Sequence, residues 1–421
     1  MPRRYFGTDG VRGIVGSDLT EALVERLGGA FALWSGGAPV LVGRDTRASG
    51  PALESALVRG FAASGSDVRV AGVLPTPAVA LLAEGSHGAV ISASHNPPEY
   101  NGVKFFTGGG RKLSDDEEQA VEDLVDEPAG VDRGNVREEP DAVARYVDLV
   151  TTRFGSALAG LRIAVDCANG AMSFAAPQAF ENVGCHVVIV GNQPDGMNIN
   201  VGCGATNLSL LRETVQSNDV DLGVAFDGDG DRMLAVDAGG NEVDGDQILA
   251  IVALHLGVDL VAVTEMTNLG FHQLMEARGI RVVTTDVGDR FVAEALRREG
   301  GVLGGEQSGH LIYLHGHSTG DGLVAALLLC RAVAESGESL ADLAAVMPRF
   351  AQAKRNVAVR TKEISPELRR EIEELAEGGR IVVRPSGTEP VIRVLAEAET
   401  SRKADELCAR IAALVSRELG S

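Results

Sequence analysis

The chain has 421 residues, a formal net charge of −21 at pH 7 and 45% hydrophobic residues. At roughly 150 residues per domain, this length predicts about three domains, and the composition is that of a folded, soluble protein. The acidic excess argues against a nucleic-acid binder, which needs a basic face for the phosphates. A local cluster of Arg and Lys can still bind a small anion.

Neither a disulfide framework nor a membrane segment is predicted. The five cysteines include no CxxC pair, so we expect neither disulfides nor a zinc cluster. Basic residues near the start are not followed by the apolar stretch of a signal peptide. No run approaches the roughly 18 apolar residues of a membrane span, so we predict a cytoplasmic protein without membrane contact.

The first predicted unit, residues 1–145, alternates short apolar strands with amphipathic helices. Apolar residues at helical spacing after Thr20 predict a first helix, with Thr20 as its N-cap. Further elements are strands at 40–42, 68–73 and 89–91 and helices at 77–84 and 115–125. This alternation predicts a largely parallel sheet. The acidic stretch 127–141 contains two prolines and is predicted to be a linker or surface loop.

Three further units follow, at residues 146–241, 242–350 and 351–421. The second has predicted strands at 161–166, 185–190 and 222–226 and a helix at 171–183. The third has strands at 260–263, 282–285 and 302–303 and a last helix at 322–335. The fourth is a small α+β module with strands at 357–360, 381–384 and 391–397 and helices at 366–376 and 403–419.

Ser94 is the first candidate for chemistry. It lies in the segment S-A-S-H-N-P, directly after the predicted strand 89–91. Open α/β sheets bind ligands at that edge, and small neighbours leave a serine hydroxyl exposed for nucleophilic attack. An ordinary polar turn can have the same sequence, so both interpretations stay open for this segment taken alone.

Asp227, Asp229 and Asp231 follow the predicted strand 222–226 at alternate positions, with glycines between them. Carboxylates this close repel one another unless a cation binds them, and all-oxygen ligation suits Mg²⁺ or Ca²⁺. An EF-hand loop is excluded, because its sixth position would be Arg232 and its twelfth Ala238. The remaining alternative is a solvated acidic turn, which does not require an apolar strand in front of it.

Two further segments have side chains that suit a sugar phosphate. G-G-E-Q-S-G-H offers Glu306 and Ser308 for hydroxyls or an amine. R-P-S-G-T-E-P combines hydroxyls and backbone N–H groups with Arg384 and, shortly after it, Arg393, which together can cradle a phosphate. A surface turn with incidental arginines is the alternative for this last segment.

Several single cations could contribute to a site, although each alone is more typical of surface charge. They are Arg12, Arg44, Arg47, Lys104 and Arg290.

The four segments occur in the order found in the α-D-phosphohexomutase superfamily, which the sequence resembles over nearly its whole length. It is most similar to the bacterial phosphoglucosamine mutases, in Y-F-G-T-D-G-V-R-G near the start, in Gln307 and in Q-P-D-G-M-N-I-N. Relatives that act on mannose or glucose phosphates more often have Glu at position 307 and Ala at position 230. Ser92 stands where the superfamily usually has Thr, and Val201 and Asn207 also depart from the pattern.

The resemblance implies a fold of three similar α/β domains with mixed sheets plus a smaller C-terminal α+β domain around a central cleft. It names the four units as phosphoserine, metal-binding, sugar-binding and phosphate-binding domains. The implied activity interconverts glucosamine 6-phosphate and glucosamine 1-phosphate through a phosphoserine and a 1,6-bisphosphate, which primes the enzyme. Such an isomerase feeds UDP-N-acetylglucosamine and cell-wall synthesis.

The resemblance also implies a role for each matching residue. Ser94 would be the phosphoserine, and its phosphate would bind one Mg²⁺ together with Asp227, Asp229 and Asp231. Lys104 is the first candidate for acid–base catalysis and His95 the second, with Arg12 close to the transferring group. The implied substrate-binding residues are Arg232, Arg290, Glu306, Ser308, Arg384, Ser386, Gly387, Thr388 and Arg393.

Two alternatives to this function remain from the sequence. One is a phosphomannomutase/phosphoglucomutase, and the other is a sugar-phosphate-binding protein without turnover. The expected partner is a small sugar phosphate, with no nucleic acid and no membrane. The resemblance raises a homodimer as a candidate assembly.

Overall fold

The computed structural model describes residues 4–7, 9–83, 85–128, 133–376, 379–386 and 390–420. Within them, four sheets follow one another along the chain. Three of these sheets are mixed and belong to α/β domains, and the last belongs to a small α+β domain, as predicted.

The first domain is built on a six-stranded sheet. Its strands are β1 (Val11–Ile14), β2 (Val40–Arg44), β3 (Val68–Val73), β4 (His87–Ile91), β5 (Tyr100–Phe106) and β6 (Val136–Glu138). Its helices are α1 (Glu21–Trp34), α2 (Gly50–Ala63), α3 (Thr76–Leu82) and α4 (Asp115–Glu122). The strand order is β1-β5-β4-β2-β3-β6, in which β5 runs antiparallel to both of its neighbours. The sheet is therefore mixed, and the expectation of a largely parallel one needs this correction.

Most elements predicted for this domain are present, and three expectations about it need comment. The side chain of Thr20 caps α1 by accepting the N–H of Leu23 at 3.2 Å. The predicted linker 127–141 contains β6, which the sequence does not reveal because all three of its residues are exposed. The predicted end of the third helix, Glu84, lies outside the described residues.

The second domain has a five-stranded sheet in the order β11-β10-β9-β7-β8. Its strands are β7 (Arg162–Asp166), β8 (His186–Val190), β9 (Leu222–Phe226), β10 (Met233–Asp237) and β11 (Glu242–Val243). Its helices are α5 (Ala142–Phe154), α6 (Met172–Asn182) and α7 (Ser209–Ser217). Because β9 and β10 pair antiparallel, residues 227–232 form the loop of a hairpin. We call these residues the carboxylate loop.

The third domain has a four-stranded sheet in the order β13-β12-β14-β15. Its strands are β12 (Leu260–Thr264), β13 (Arg281–Thr285), β14 (Leu303–Gly305) and β15 (Leu311–Tyr313). Its helices are α8 (Gly245–Leu256), α9 (Leu269–Ala277), α10 (Asp289–Glu299), α11 (Gly322–Ser336) and α12 (Leu340–Ala345). Residues 306–310 connect the antiparallel pair β14 and β15. We call these residues the sugar loop, after the role that the sequence resemblance implies for them.

The fourth domain is an antiparallel sheet covered by helices. Its strands are β16 (Ala351–Ala358), β17 (Gly379–Pro385) and β18 (Val391–Ala398), with β18 in the middle. Its helices are α13 (Pro366–Glu374) and α14 (Ser401–Leu419). The long helix α14 is amphipathic and buries Ile411 and Val415 against the sheet.

One buried cluster is shared by the first three domains, and the first domain and the fourth each have a further core of their own. The shared cluster includes Phe106, Phe226 and Leu327, each from a different domain. The helix α5 contributes to the same cluster, and the predicted boundary between residues 145 and 146 falls inside it. A separate cluster fills the fourth domain. The five cysteines are unpaired and buried. Among the described residues, no helix is both long and apolar enough to span a membrane.

Candidate active site

Ser94 lies just past the end of β4 in an unusual backbone conformation. Its φ angle is 52°, in the left-handed region that few residues other than glycine adopt. The sequence suggested an exposed hydroxyl, but only 1% of the residue is accessible. The hydroxyl is covered because it donates a hydrogen bond of 2.6 Å to Oδ2 of Asp227 in the second domain. The predicted nucleophile and the predicted metal site are therefore in contact.

The carboxylate loop brings its three aspartates together in a buried position. Ligand oxygens of Asp227, Asp229 and Asp231 all lie within 4.8 Å of one another. Burial, together with the negative charges of Asp231 and Asp229, raises the pKa of Asp227 to about 8. The loop thus concentrates negative charge at the point where Ser94 meets it.

These residues fit a hard divalent cation. All the groups that the cluster offers are oxygens, which is the ligand set that Mg²⁺ prefers. Oδ1 of Asp229 is buried and has no hydrogen-bond partner among the described residues, so a ligand at this atom would satisfy it.

Lys104 supplies positive charge to the same cluster from β5. Its Nζ lies 2.8 Å from Asp229, 3.3 Å from Asp231 and 3.0 Å from Asp9. Burial alone would lower the pKa of Lys104, but these three carboxylates outweigh it and raise the pKa well above its usual value. The side chain is therefore a fixed ammonium ion, which suits charge stabilisation better than proton abstraction.

His95 and Arg12 lie beside Ser94, as the sequence predicted. Nδ1 of His95 is 3.3 Å from the Ser94 hydroxyl oxygen. Burial lowers the pKa of His95 to about 4, helped by the nearby Arg232 and Arg12 guanidinium groups, so its imidazole is neutral at pH 7. Arg12 forms an ion pair with Asp9 and donates a long hydrogen bond of 3.5 Å to the carbonyl of Ala93.

A cleft of about 590 Å³ opens in front of these groups, and all four domains line it. The first domain contributes Arg12 and His95, and the second contributes Arg232. The third contributes Glu306 and Ser308 from the sugar loop. Arg384, Ser386 and Arg393 line the cleft from the fourth domain.

The cleft contains most of the predicted substrate-binding residues, but Arg290 is held elsewhere. Its guanidinium lies 2.6 Å from a carboxylate oxygen of Asp115 and donates to the carbonyl of Leu113 at 3.4 Å. Glu118 is 3.9 Å away. These partners belong to the first domain, so Arg290 joins the first domain to the third and does not line the cleft. Its role in substrate binding stays a prediction. Gly387 and Thr388 lie outside the described residues.

His310 is a functional candidate that the sequence reasoning did not single out. Its ring lies between Oδ1 of Asp231 and Oε2 of Glu306, each at 3.1 Å. Burial alone would lower the pKa of His310, but Asp231 and Asp289 outweigh it and raise the pKa to about 10. Its place in the G-E-Q-S-G-H segment was the available signal.

Lys112 and Asp289, two charged residues outside the predicted motifs, also lie at the site. Nζ of Lys112 lies 2.7 Å from Asp9 and 2.8 Å from Asp289, which joins the first domain to the third. Asp9 and Asp289 both line the cleft. No local sequence pattern marks Lys112, because its partners lie far away along the chain.

Comparison with known proteins bears on what this site does. Four family descriptions of the phosphoglucomutase/phosphomannomutase type match in consecutive order. Alpha/beta/alpha domains I, II and III match residues 3–130, 144–240 and 244–350, and the C-terminal domain matches residues 329–414. Together these matches cover nearly all of the chain.

The chain belongs to the phosphohexomutase family. Enzymes of this family are isomerase-class phosphotransferases, and so is this chain. Among similar curated proteins, a phosphoglucosamine mutase of Pelotomaculum thermopropionicum is 48% identical, and the match covers 97% of this chain and 98% of that protein. The phosphoglucosamine mutase of Bacillus subtilis is 44% identical, with 99% of both chains covered.

Solved phosphohexomutase structures have the same fold. A phosphoglucomutase/phosphomannomutase family protein from Burkholderia thailandensis superimposes with a TM-score of 0.85 at 24% identity, covering 98% of each chain. The N-acetylphosphoglucosamine mutase of Aspergillus fumigatus, in complex with GlcNAc-6P and magnesium, has a TM-score of 0.70 at 19% identity. That match covers 98% of this phosphohexomutase and 96% of the fungal chain.

Proposed function

We propose that this phosphohexomutase interconverts glucosamine 6-phosphate and glucosamine 1-phosphate, with Ser94 carrying the transferred phosphoryl group. The observation that carries the proposal is the contact of 2.6 Å between the Ser94 hydroxyl and Asp227. In this contact Ser94, whose backbone is in the left-handed region, lies against the cluster of three carboxylates. The similarity to phosphoglucosamine mutases supports the choice of sugar.

The reaction has two transfers in opposite directions. In the first, the bond between phosphorus and Ser94 Oγ breaks, a bond forms to O1 of the 6-phosphosugar, O1 loses its proton and Ser94 Oγ gains one. The resulting 1,6-bisphosphate turns over in the cleft. In the second transfer, the bond between phosphorus and O6 breaks, Ser94 Oγ loses its proton and takes the phosphoryl group back, and O6 receives a proton. The product is the 1-phosphate.

Among the residues around Ser94, one is suited to stabilise negative charge and another to transfer protons. Phosphoryl transfer depends on positioning and electrostatics more than on covalent chemistry. Lys104, with its raised pKa, serves as a fixed positive charge. His95 is neutral and its Nδ1 lies 3.3 Å from Ser94 Oγ, so its imidazole can accept the hydroxyl proton of Ser94 or return a proton to Ser94 Oγ.

Asp227, Asp229 and Asp231, with a phosphate on Ser94, are the groups that would hold one Mg²⁺. When bound, the cation neutralises negative charge on the transferring phosphoryl group. Opposite them, Arg384, Ser386 and Arg393 are suited to hold the phosphate that is not reacting.

Carboxylates in the cleft lining support the choice of an amino sugar, although cations of the protein already pair with each of them. Asp9, Asp289 and Glu306 all contribute carboxylates to it. A glucosamine phosphate is positively charged at its 2-amino group, whereas glucose and mannose have a neutral hydroxyl there. A carboxylate in contact with such a cation attracts it more strongly than it attracts a neutral hydroxyl.

A substrate comparison tests the proposal. The protein, primed with glucose 1,6-bisphosphate, should convert glucosamine 6-phosphate with a kcat/KM at least about tenfold above those for mannose 6-phosphate and glucose 6-phosphate. A preference for mannose 6-phosphate would contradict the assigned sugar. Replacement Ser94→Ala should abolish both turnover and phosphate uptake, whereas Ser55→Ala, at an exposed helical position, should change neither. A parent that neither turns over nor takes phosphate on Ser94 would indicate a binding protein.

A further inference from the structure

Arg47 is an isolated cation in the sequence, and the structure buries it completely. The side chains of Arg47 and its neighbour Asp45 are both 0% exposed, with Nε of the arginine 2.8 Å from Oδ2 of the aspartate. A buried charge is stable only where its surroundings compensate for lost water. The position of Arg47 therefore calls for a specific set of partners.

Those partners are the backbone carbonyls of the segment that carries Ser94. Nη2 donates to the carbonyl of Ser94 at 3.0 Å and to that of Asn96 at 2.8 Å. Nη1 donates to the carbonyl of Tyr100 at 2.9 Å and to that of Pro97. With Nε on Asp45, every nitrogen of the guanidinium is engaged, and its planar fork spans the whole turn between β4 and β5.

The N–H side of Ser94 is held by the same group of residues. Its backbone N–H donates to Oγ of Ser92 at 2.9 Å, and that hydroxyl donates to Oδ2 of Asp45 at 2.6 Å. Asp45 thus accepts hydrogen bonds from both Arg47 and Ser92. The amide N–H and the carbonyl of Ser94 are connected to one buried ion pair.

A second donor reaches the same carbonyl from the second domain. Nδ2 of Asn200 lies 3.0 Å from the carbonyl oxygen of Ser94. Asn200 itself has a φ angle of 60°. The adjacent backbone leaves little freedom, since a Cβ at Gly228 would lie 2.6 Å from this same carbonyl oxygen. The carbonyl of Ser94 is therefore held by Arg47 from the first domain and by Asn200 from the second.

The reaction explains why this peptide group should be fixed. A φ of 52° is unfavourable for a serine, and such a conformation persists only where the surroundings over-determine it. A shift of about 1 Å at a reacting group can lower a rate about 100-fold. The hydroxyl of Ser94 has to meet two different ends of the sugar, so its direction must not depend on contacts with one substrate orientation.

We infer that Arg47 and Asn200 are positioning residues, which hold the Ser94 carbonyl from two domains and so direct its hydroxyl for phosphoryl transfer. Neither residue touches the reacting atoms. The inference rests on the proposed role of Ser94 as phosphoryl carrier. It does not depend on which hexose phosphate is the substrate.

The test measures how fast Ser94 takes a phosphoryl group. Parent protein and the variants Arg47→Lys and Asn200→Gly are mixed with glucose 1,6-bisphosphate, and intact-protein mass spectrometry follows Ser94 phosphorylation over time. Lysine keeps the charge but loses the fork, and glycine keeps the left-handed backbone but loses the donor. Arg59→Lys is the matched control, because Arg59 forms an exposed pair with Glu25 in the same domain.

We expect each variant to lower the phosphorylation rate and kcat about 10-fold to 100-fold while KM changes less than about threefold. Arg59→Lys should match the parent. Because both donors bond one carbonyl, the double variant should lose less than the product of the single losses. A purely structural role would predict lower thermal stability with an unchanged rate in the folded protein.

Several results would overturn the inference. One is a rate within twofold of the parent for folded Asn200→Gly, which decides the matter even if Arg47→Lys does not fold. Another is a rise in KM with kcat unchanged. A parent that is phosphorylated on Ser94 but inactive on glucosamine 6-phosphate would contradict only the proposed substrate. A parent whose Ser94 takes no phosphate would remove both proposals.

Discussion

His310 lies 3.1 Å from Asp231, with Nε2 facing Oδ1, so the sugar loop of the third domain is paired with the carboxylate loop of the second. A backbone bridge between Arg232 and His310 accompanies this contact. The two loops are therefore joined both by an ion pair and by a backbone bridge.

The replacement His310→Gln should remove the ion pair between these two loops. It removes the cation between Asp231 and Glu306 and leaves Asp231 with Lys104 as its close cationic partner, which should lower the free energy of unfolding by about 3 kcal/mol. The kcat should also fall by about 10-fold to 100-fold, because Asp231 is less well held. Urea unfolding and steady-state kinetics measure the two effects. His315→Gln, at an exposed position, is the control, and equal stability of the two variants would argue against the coupling.

Removal of one carboxylate should weaken metal binding. In Asp229→Asn, an amide replaces the carboxylate whose Oδ1 has no partner, so we expect affinity for Mg²⁺ to fall at least about tenfold. Isothermal titration calorimetry with MgCl₂ on chelator-treated protein measures this directly. Asp148→Asn, on the exposed face of α5, should bind as the parent does. Equal affinity in all three proteins would place the cation elsewhere.

Arg384 and Arg290 should differ in how they affect the substrate. Arg384 lines the cleft, so Arg384→Gln should raise KM for glucosamine 6-phosphate about 10-fold to 100-fold through loss of a charged hydrogen bond. Arg290 is paired with Asp115, so Arg290→Gln should leave KM within about twofold and reduce stability by about 1 kcal/mol. Steady-state kinetics and thermal unfolding distinguish them. A larger KM effect at Arg290 would support its role in substrate binding.

Asp246, at the start of α8, should make stability depend on pH. Burial, with a contribution from Asp244, raises its pKa to about 7. Since the folded-state pKa lies above that of the unfolded chain, the contribution of Asp246 to the stability of the parent should fall as the pH rises from about 4 to 7. The variant Asp246→Asn lacks this loss and should be more stable than the parent at pH 8, by on the order of 2 kcal/mol.

Urea unfolding at pH 5 and pH 8 tests this difference between Asp246→Asn and the parent. The gap between the two proteins should be smaller at pH 5, where the buried carboxyl stays protonated. Asp148→Asn should follow the parent at both values. An Asp246→Asn variant that is less stable than the parent at pH 8 would show that its hydrogen bond to the N–H of Asn268 outweighs burial of the charge.

Tyr146 should contribute to stability without affecting catalysis. Its hydroxyl is buried and lies 2.9 Å from both carboxylate oxygens of Asp321, the N-cap of α11. Tyr146→Phe removes a hydrogen bond to a charged group and should cost about 2 kcal/mol in the free energy of unfolding. Its kcat and KM should stay at the parent values. Phe154→Leu, in the same helix, tests whether any loss of aromatic packing has a similar effect.

Motifs at strand ends were the part of the site that the sequence predicted well. Ser94 and Asp227 each follow a buried apolar strand, and the structure brings them into contact at 2.6 Å. Each residue lies at the carboxyl end of a strand, but the two strands belong to different sheets, so packing of the first domain against the second brings them together. Glu306 and Ser308 line the cleft from a comparable position at the end of β14.

Residues that act through distant partners could not be predicted in this way. Arg47 has the sequence context of a surface charge, and only the folded turn supplies the carbonyls that make its burial possible. Lys104 lies on β5, which the sequence reasoning did not assign as a strand. The pairing of β5 with β4 places the ammonium group of Lys104 next to carboxylates from the second domain. In each case the signal is a tertiary contact and not a local pattern.

The buried cysteines have a practical consequence for measuring the distance between the first and fourth domains. Burial raises the pKa of Cys185 to about 11 and that of Cys203 to about 12, so these thiols are poor nucleophiles at neutral pH. All five native cysteines are buried, so a cysteine introduced at an exposed site should be the one that reacts with a maleimide dye. Arg402, whose side chain is 81% exposed on α14, and the exposed Arg59 on α2 offer two such sites. The native chain is thus already suited to distance measurements by fluorescence, without removal of its own thiols.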